Sequence, residues 1–200
     1  MNNVFDRRSV NFFDKDRDLD EKLLEDIINL AVNAPSAFNL QPWDIIAVKS
    51  DDAKKKLLAL ANGQPKILEA PVTLILSGDR SAFNDQNPQW AYLKEHHGEE
   101  AAQGAMGAAA FLYGSSEERK IKFAESNTGL LGMSIMYAAK SMGVDSHPMS
   151  GVDFDGIKKE FELDGNKEVV MLIALGYFDK KKTLFPPSPR REFDSLVKIA

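Results

Sequence analysis

Four short segments of this chain bring together residue types that bind anions and flat polar rings. Arg7-Arg8-Ser9, followed by Val10, Asn11 and Phe12, offers two guanidiniums and a hydroxyl. Such a set clamps a phosphate or an anionic ring edge, with arginine supplying bidentate geometry. Read in isolation, it is more often a solvated N-terminal charge cluster. Pro35-Ser36-Ala37-Phe38-Asn39-Leu40-Gln41-Pro42-Trp43 sets two side-chain amides between prolines. Amides both donate to and accept from the polar edge of a heterocycle, and rigid prolines would hold them in place; the plainer reading is a connector around a buried Trp43. His147-Pro148-Met149-Ser150-Gly151 ends in a glycine, which lets backbone approach a ligand closely; otherwise it is a loop leaving a strand. Pro189-Arg190-Arg191 adds a basic pair near the C-terminus, a pattern common in exposed tails.

Other chemistries are poorly served. The chain has no cysteine, which removes thiol catalysis, disulfides, zinc-thiolate sites and iron–sulfur clusters. His96 and His97 sit among glutamates, but adjacent histidines on a helix point in different directions and nothing supplies a spaced ligand set. No metal site is expected. No Gly-x-Gly-x-x-Gly follows a strand pattern and no P-loop occurs. A net charge of −5 argues against nucleic-acid binding, which needs clustered Lys and Arg. The N-terminal stretch is charged from Asp6 and lacks an apolar core, so no signal peptide is expected. The apolar runs are strand-sized or interrupted, so no membrane span is expected either. Together with the missing cysteines this fits a cytoplasmic protein.

The elements that must position these segments are legible in outline. With 200 residues, 44% hydrophobic and 28% charged, the chain suits one domain over 1–200, or one protomer of an intimate dimer. Asp20 caps a helix to about Asn33, with Leu23, Leu24, Ile27, Ile28, Leu30 and Ala31 on its apolar face. Ile45 to Val48 and Val72 to Leu76 read as buried strands, with a helix from Asp51 or Asp52 to about Ala61 between them. Residues 79–99 are polar and aromatic with little periodicity. Helix resumes near Glu100 and runs to Leu112, and Glu117 to Met142 is the longest helical stretch. From Leu130 to Met142 it is apolar almost all round, and the burial this demands is most easily supplied by a second subunit. Gly143 stops it. A short helix from Asp155 to Phe161, a strand from Val169 to Leu175, a basic proline-rich tail from Pro186 and an amphipathic end from Phe193 complete the order. About four short strands separated by helices indicate α+β or α/β.

Taken in order, the segments resemble the nitroreductase family of flavoenzymes. Arg7-Arg8-Ser9-Val10 is similar to its N-terminal signature, and Ala34 to Trp43 to its most specific motif. Pro148 to Gly151 resembles the loop passing the flavin ring, and Ala174-Leu175-Gly176-Tyr177 the strand ending in Gly-Tyr. Gln64, shortly before Ala70-Pro71, stands where the family often has a flavin-contacting amide, and Arg190 where it has a phosphate-binding base.

The resemblance implies an α+β sandwich, a central mainly antiparallel sheet flanked by helices, and an intertwined homodimer with FMN at the subunit interface. It implies a phosphate site of Arg7, Ser9 and Arg190, with Arg8 at the phosphate or ring edge. Asn39 and Gln64 would meet the flavin edge, and Pro35, Ser36 and Ala37 would come from the other subunit. Pro148, Met149, Ser150 and Gly151 would pass the ring, with backbone near N5. Asn11 stands where many members have a second base, and Ser150 where Glu or Gly is frequent. No catalytic side chain is implied: NADH or NADPH would reduce the flavin and leave, and a nitroaromatic, quinone or related acceptor would enter the same site, a ping-pong scheme. Alternatives within the resemblance are a flavin storage or sensing protein, and an FMN enzyme with other chemistry such as enone reduction, dehalogenation or flavin destruction.

Overall fold

The computed structural model describes residues 3–200. Asp20 caps the first helix, α1 (Glu21–Ala31), its carboxylate accepting from the Lys22 and Leu23 N–H groups. The helix stops at Ala31, short of the expected Asn33, and the chain makes a 3-10 turn at Ala37–Asn39 before β1 (Trp43–Val48). Ser50 caps α2 (Asp51–Leu60), a one-turn α3 spans Lys66–Glu69, and β2 runs over Val72–Asp79.

The segment without visible periodicity corrects the expectation most. It holds a helix, α4 (Pro88–His97), started by an Asn87 side chain that accepts from Gln89 N–H, with Pro88 in the first turn. Asparagine before proline is a helix-start signal, because proline at the first position lacks only an N–H that would be orphaned anyway. Next come α5 (Glu99–Tyr113), α6 (Glu117–Ser141) and β3 (Asp145–Met149), which makes His147-Pro148-Met149 a strand rather than a loop. Then follow α7 (Phe154–Glu160), β4 (Lys167–Gly176) and a single turn α8 (Phe193–Leu196).

The four strands form one antiparallel sheet in the order β1-β2-β4-β3. The central strands are nearly continuous apolar runs because both faces are covered. Val72, Leu74 and Leu76 of β2 point to α1 and α6, whereas Ile75 joins Leu57, Ile67 and Ile157 on the face of α2, α3 and α7. Pro148 is tolerated because β3 is an edge strand, bonded within the sheet only to β4. Gly78 lets α6 approach: a Cβ there would stand 2.7 Å from the Ala124 carbonyl oxygen.

The apolar end of α6 differs from expectation in its cause. The chain itself buries Leu131, Ile135, Met136, Ala138 and Ala139, in a core shared with α1, β2 and β4. Only Leu130 in that stretch remains strongly exposed, at 47%. The apolar run is therefore explained by the fold of one chain. The C-terminal end does the opposite: residues 186–200 are exposed, and Phe193, Leu196 and Ile199 cover nothing on this chain. Among the described residues no helix is long and apolar enough to cross a membrane.

Candidate functional site

The N-terminal segment is stitched to the edge strand β3. Ser9 forms a parallel bridge with Ser146, Val10 N–H donates to Ser146 O at 3.2 Å, and His147 Nδ1 donates to Val10 O at 2.9 Å. This places Arg7, Ser9 and Asn11 beside β3 and the loop that follows it. On the other side of that loop, Asn62 Nδ2 and Gln64 Nε2 donate to Gly151 O at 2.9 and 3.3 Å, and Lys66 Nζ donates to Gln64 Oε1 at 3.2 Å.

Sequence-named and unnamed residues thus meet in one place: Arg7, Gln64 and the Pro148–Gly151 backbone, joined by Lys66 and His147. The electrostatics are one-sided. Arg7 Nη1 is buried without a hydrogen-bond partner, a costly state for a guanidinium nitrogen. Burial lowers the Lys66 pKa, against the opposing pull of Glu69. Glu69 is itself shared between Phe13 N–H and Lys15. Burial pushes His147 down to about 4, helped by the charges of Lys66 and Arg7, so the ring is neutral near pH 7. The group holds two cations, two amides and the backbone at Ser150-Gly151, both of which are exposed. Such a set fits an anion that carries a polar ring.

Other expected residues sit elsewhere. Met149 turns its side chain into the core, leaving only its backbone for a ligand. Arg8 donates to Phe185 O at 2.7 Å and anchors the start of the tail. Arg190 bonds only carbonyls of its own segment, Ser188 at 2.9 Å and Pro189 at 3.4 Å. In one chain it does not join Arg7.

The Pro35–Trp43 motif forms a second, separate group. Phe38, Asn39 and Gln41 all have positive φ (53°, 56° and 47°), a conformation disfavoured for residues with a Cβ. Three bonds hold them there. Ala37 N–H donates to the buried Asn127 Oδ1 at 2.8 Å, Gln41 N–H to Ser36 Oγ at 2.9 Å, and Asn39 Nδ2 to Gln89 Oε1 at 3.1 Å. Ala34 packs on the α6 face of the sheet, and Ala37, Phe38 and Leu40 pack with Trp90 and Phe123. This motif leads into β1, whereas the Arg7 group borders β3, at the opposite edge of the four-stranded sheet. Three strand spacings, about 14 Å, separate those edges.

Lys66 was not visible as a site residue in the sequence, because a lysine opening a short helix reads as solvated. His147 lay within a named segment, but its bond to Val10 depends on a contact across 137 positions. Among the described residues no cluster of His, Asp and Glu could hold a metal ion.

An antiparallel sheet with helices on both faces, and a group of cations and amides at its edge, define the class as α+β. The Nitroreductase family model matches residues 4–177, and the chain belongs to that family; it is an oxidoreductase. It is 32% identical to MhqN of Bacillus subtilis (strain 168), named by inference an NAD(P)H nitroreductase, over 97% of this chain and 95% of that one. The crystal structure of YdfN from Bacillus subtilis superposes with a TM-score of 0.91 at 29% identity, covering 98% of this chain and 96% of that one. A structure from Exiguobacterium sibiricum 255-15, solved in complex with FMN, shares the fold at a TM-score of 0.85 and 23% identity, covering 98% and 95%.

Proposed function

We propose that this chain is a single-domain, FMN-dependent NAD(P)H oxidoreductase, working in the cytoplasm as a homodimer, with nitroaromatics, quinones or related small molecules as acceptors. The observation that carries the reading is the buried, unpartnered Arg7 Nη1 grouped with Lys66, Gln64 and the Gly151 backbone. A phosphate or an anionic ring edge satisfies those donors together. FMN, when bound, supplies the transfer of reducing equivalents between NAD(P)H and the acceptor. Arg7 and Ser9 hold the phosphate. Gln64 and Lys66 donate to the polar ring edge, where a nearby cation favours added negative charge. The Ser150-Gly151 backbone, held by Asn62 and Gln64, would lie beside the ring. His147 stays neutral and keeps the Arg7–Ser9 segment on β3.

The placement of Asn39, Pro35, Ser36 and Ala37 supports the homodimer. They lie at the opposite sheet edge from Arg7, so one ligand meets both groups when a two-fold axis brings a second chain. The exposed apolar tail, with Phe193, Leu196 and Ile199, is material for that contact. The same arrangement is the route by which Arg190 reaches a phosphate.

The test is the absorbance of the purified protein, then anaerobic titration with NADH and NADPH. Flavin absorbance that bleaches with either donor is expected. A colourless protein that takes up no FMN overturns the reading. Sedimentation of the FMN-bound form as a monomer overturns the dimer.

A further inference from the structure

Arg8 turns away from the Arg7 group into a separate cleft of about 320 Å³ between the N-terminal segment, the end of α6 and the chain after β4. Arg17, Lys140 and Lys180 line it as well, with Tyr177 and Phe178 as aromatic wall and Asp145 as the one carboxylate. Arg8, Arg17 and Lys180 against the one carboxylate make a local excess of positive charge in a chain whose net charge is −5. Asp145 Oδ2 already accepts from Phe178 N–H at 3.0 Å. Among the described residues none of Arg8, Arg17 and Lys180 is ion-paired. Arg8 is half-buried and spends one donor on Phe185 O, leaving most of its N–H groups for another partner. The Arg17 guanidinium lies 3.3 Å from the Tyr177 ring centroid, so its outer face is a flat, weakly hydrated plate.

Like charges lining one concave site repel one another, and a dianion relieves that repulsion. A stacked guanidinium beside the charges adds a platform for an aromatic base. The volume is at the lower end of small-molecule sites, about 300–1,000 Å³, and suits one nucleoside phosphate. We propose that this cleft binds an adenosine phosphate, its phosphate between Arg8 and Lys180 and its ring on the Arg17–Tyr177 stack. Two sources carry that chemistry: the adenosine 2′-phosphate end of NADPH, or a free adenine nucleotide. Only the first rests on the function proposed above; the cleft itself requires no flavin.

The experiment is titration calorimetry of the purified full chain, as isolated and FMN-saturated, with inorganic phosphate, adenosine 5′-monophosphate and adenosine 2′,5′-bisphosphate. Arg17→Gln and Lys180→Gln, both exposed and outside the Arg7 group, serve as variants. Saturable binding of the adenosine phosphates is expected, weaker for phosphate alone, and reduced roughly tenfold or more by each variant. FMN content and absorbance remain those of wild type. If NADPH is the source, Lys180→Gln raises KM for NADPH and leaves KM for NADH, Arg17→Gln raises KM for both because both carry the adenine, and kcat is unchanged in each. If a free nucleotide is the source, the adenosine phosphates bind without competing with NADPH. No saturable binding of any probe up to about 1 mM overturns the proposal, as does binding that neither variant weakens. Phosphate alone binding as tightly as the adenosine phosphates removes the ring from the assignment and overturns it in this form. Loss of nucleotide binding with flavin chemistry intact refutes the cleft alone; nucleotide binding in a protein that takes no FMN refutes the flavin reading alone.

Discussion

The imidazole of His147 donates through Nδ1 to the carbonyl oxygen of Val10 at 2.9 Å, across 137 positions of sequence. With the Ser9–Ser146 bridge and the Val10-to-Ser146 bond, it lays the Arg7–Val10 segment along the edge of the sheet. The bond uses the proton on Nδ1, so the neutral ring keeps Nε2 as an acceptor.

That neutrality makes stability pH-dependent. His147 has a folded pKa of about 4 against an ordinary 6.5, so the unfolded chain binds a proton first as pH falls. Stability therefore declines from pH 6.5 down to about 4 and is indifferent to this residue below that, with a ceiling of about 3 kcal/mol. Urea denaturation at about pH 7 and about pH 5 is expected to show a loss of about 1 kcal/mol in wild type, less than the whole shift would give because the ring is only partly shielded from water. In His147→Gln, which still donates to Val10, most of that difference disappears. Equal pH slopes in the two proteins count against a buried neutral ring.

Arg7→Met is expected to act in opposite directions with and without FMN. Without it, the substitution removes a buried unsatisfied donor, and stability holds or rises. With it, a charge-assisted contact is lost and FMN affinity falls by about 1.5–3 kcal/mol. Arg190→Ala is expected to weaken FMN binding as well, because the proposed dimer brings Arg190 to the phosphate although within one chain it bonds only carbonyls of its own segment. Fluorescence titration of FMN and thermal unfolding of the cofactor-free proteins measure both quantities. An Arg7 variant that binds FMN as wild type does removes Arg7 from the site.

Lys66→Gln removes the cation beside Gln64 while preserving a hydrogen-bond donor. The midpoint potential of the FMN-saturated protein is expected to fall, because negative charge on the reduced cofactor loses its neighbour. A loss of about 1.4 kcal/mol corresponds to about 30 mV for a two-electron couple. Spectroelectrochemical titration gives the number, and an unchanged potential places Lys66 away from the ring.

Gly78→Ala tests the packing that brings α6 onto β2. The added Cβ meets the Ala124 carbonyl oxygen at 2.7 Å and Thr128 Oγ1 at 2.8 Å, and a backbone oxygen cannot rotate away. Overpacking of this kind costs about 1–3 kcal/mol, read as a lower denaturant midpoint with unchanged slope. A wild-type midpoint shows that α6 yields at little cost.

Asn127→Leu frees the Ala37 N–H that it now holds at 2.8 Å. A partly buried donor left unpaired costs about 1 kcal/mol, and the left-handed residues Phe38, Asn39 and Gln41 lose their anchor. Hydrogen exchange at the Ala37 amide is expected to accelerate well beyond that of amides in β2. Unchanged protection there shows that the loop is held by its own turns.

The sequence by itself determined the helices with strong caps and periods, the central strands and the family. Asp20 begins α1 where its spacing to Leu23 and Leu24 requires, and β2 and β4 are apolar runs that only a doubly covered sheet accommodates. It also determined which segments carry anion- and ring-binding groups, because residue type alone decides what a side chain donates. What it left open is which of those groups meet. Arg7 and Arg8 are neighbours in sequence, yet one sets its Nη1 out of water near His147 and the other turns into a different cleft; that division depends on how the segment pairs with β3. Lys66 looks like any solvated lysine until α3 packs Ile67 into the core and draws its own charge partly out of water. The apolar end of α6 asked for burial but could not say by what, and the fold answers with α1 and the sheet of the same chain. Local propensity and periodicity act over a few residues, whereas a site is a set of contacts across more than a hundred. Only the sheet order β1-β2-β4-β3 decided that the Asn39 motif and the Arg7 group stand at opposite edges.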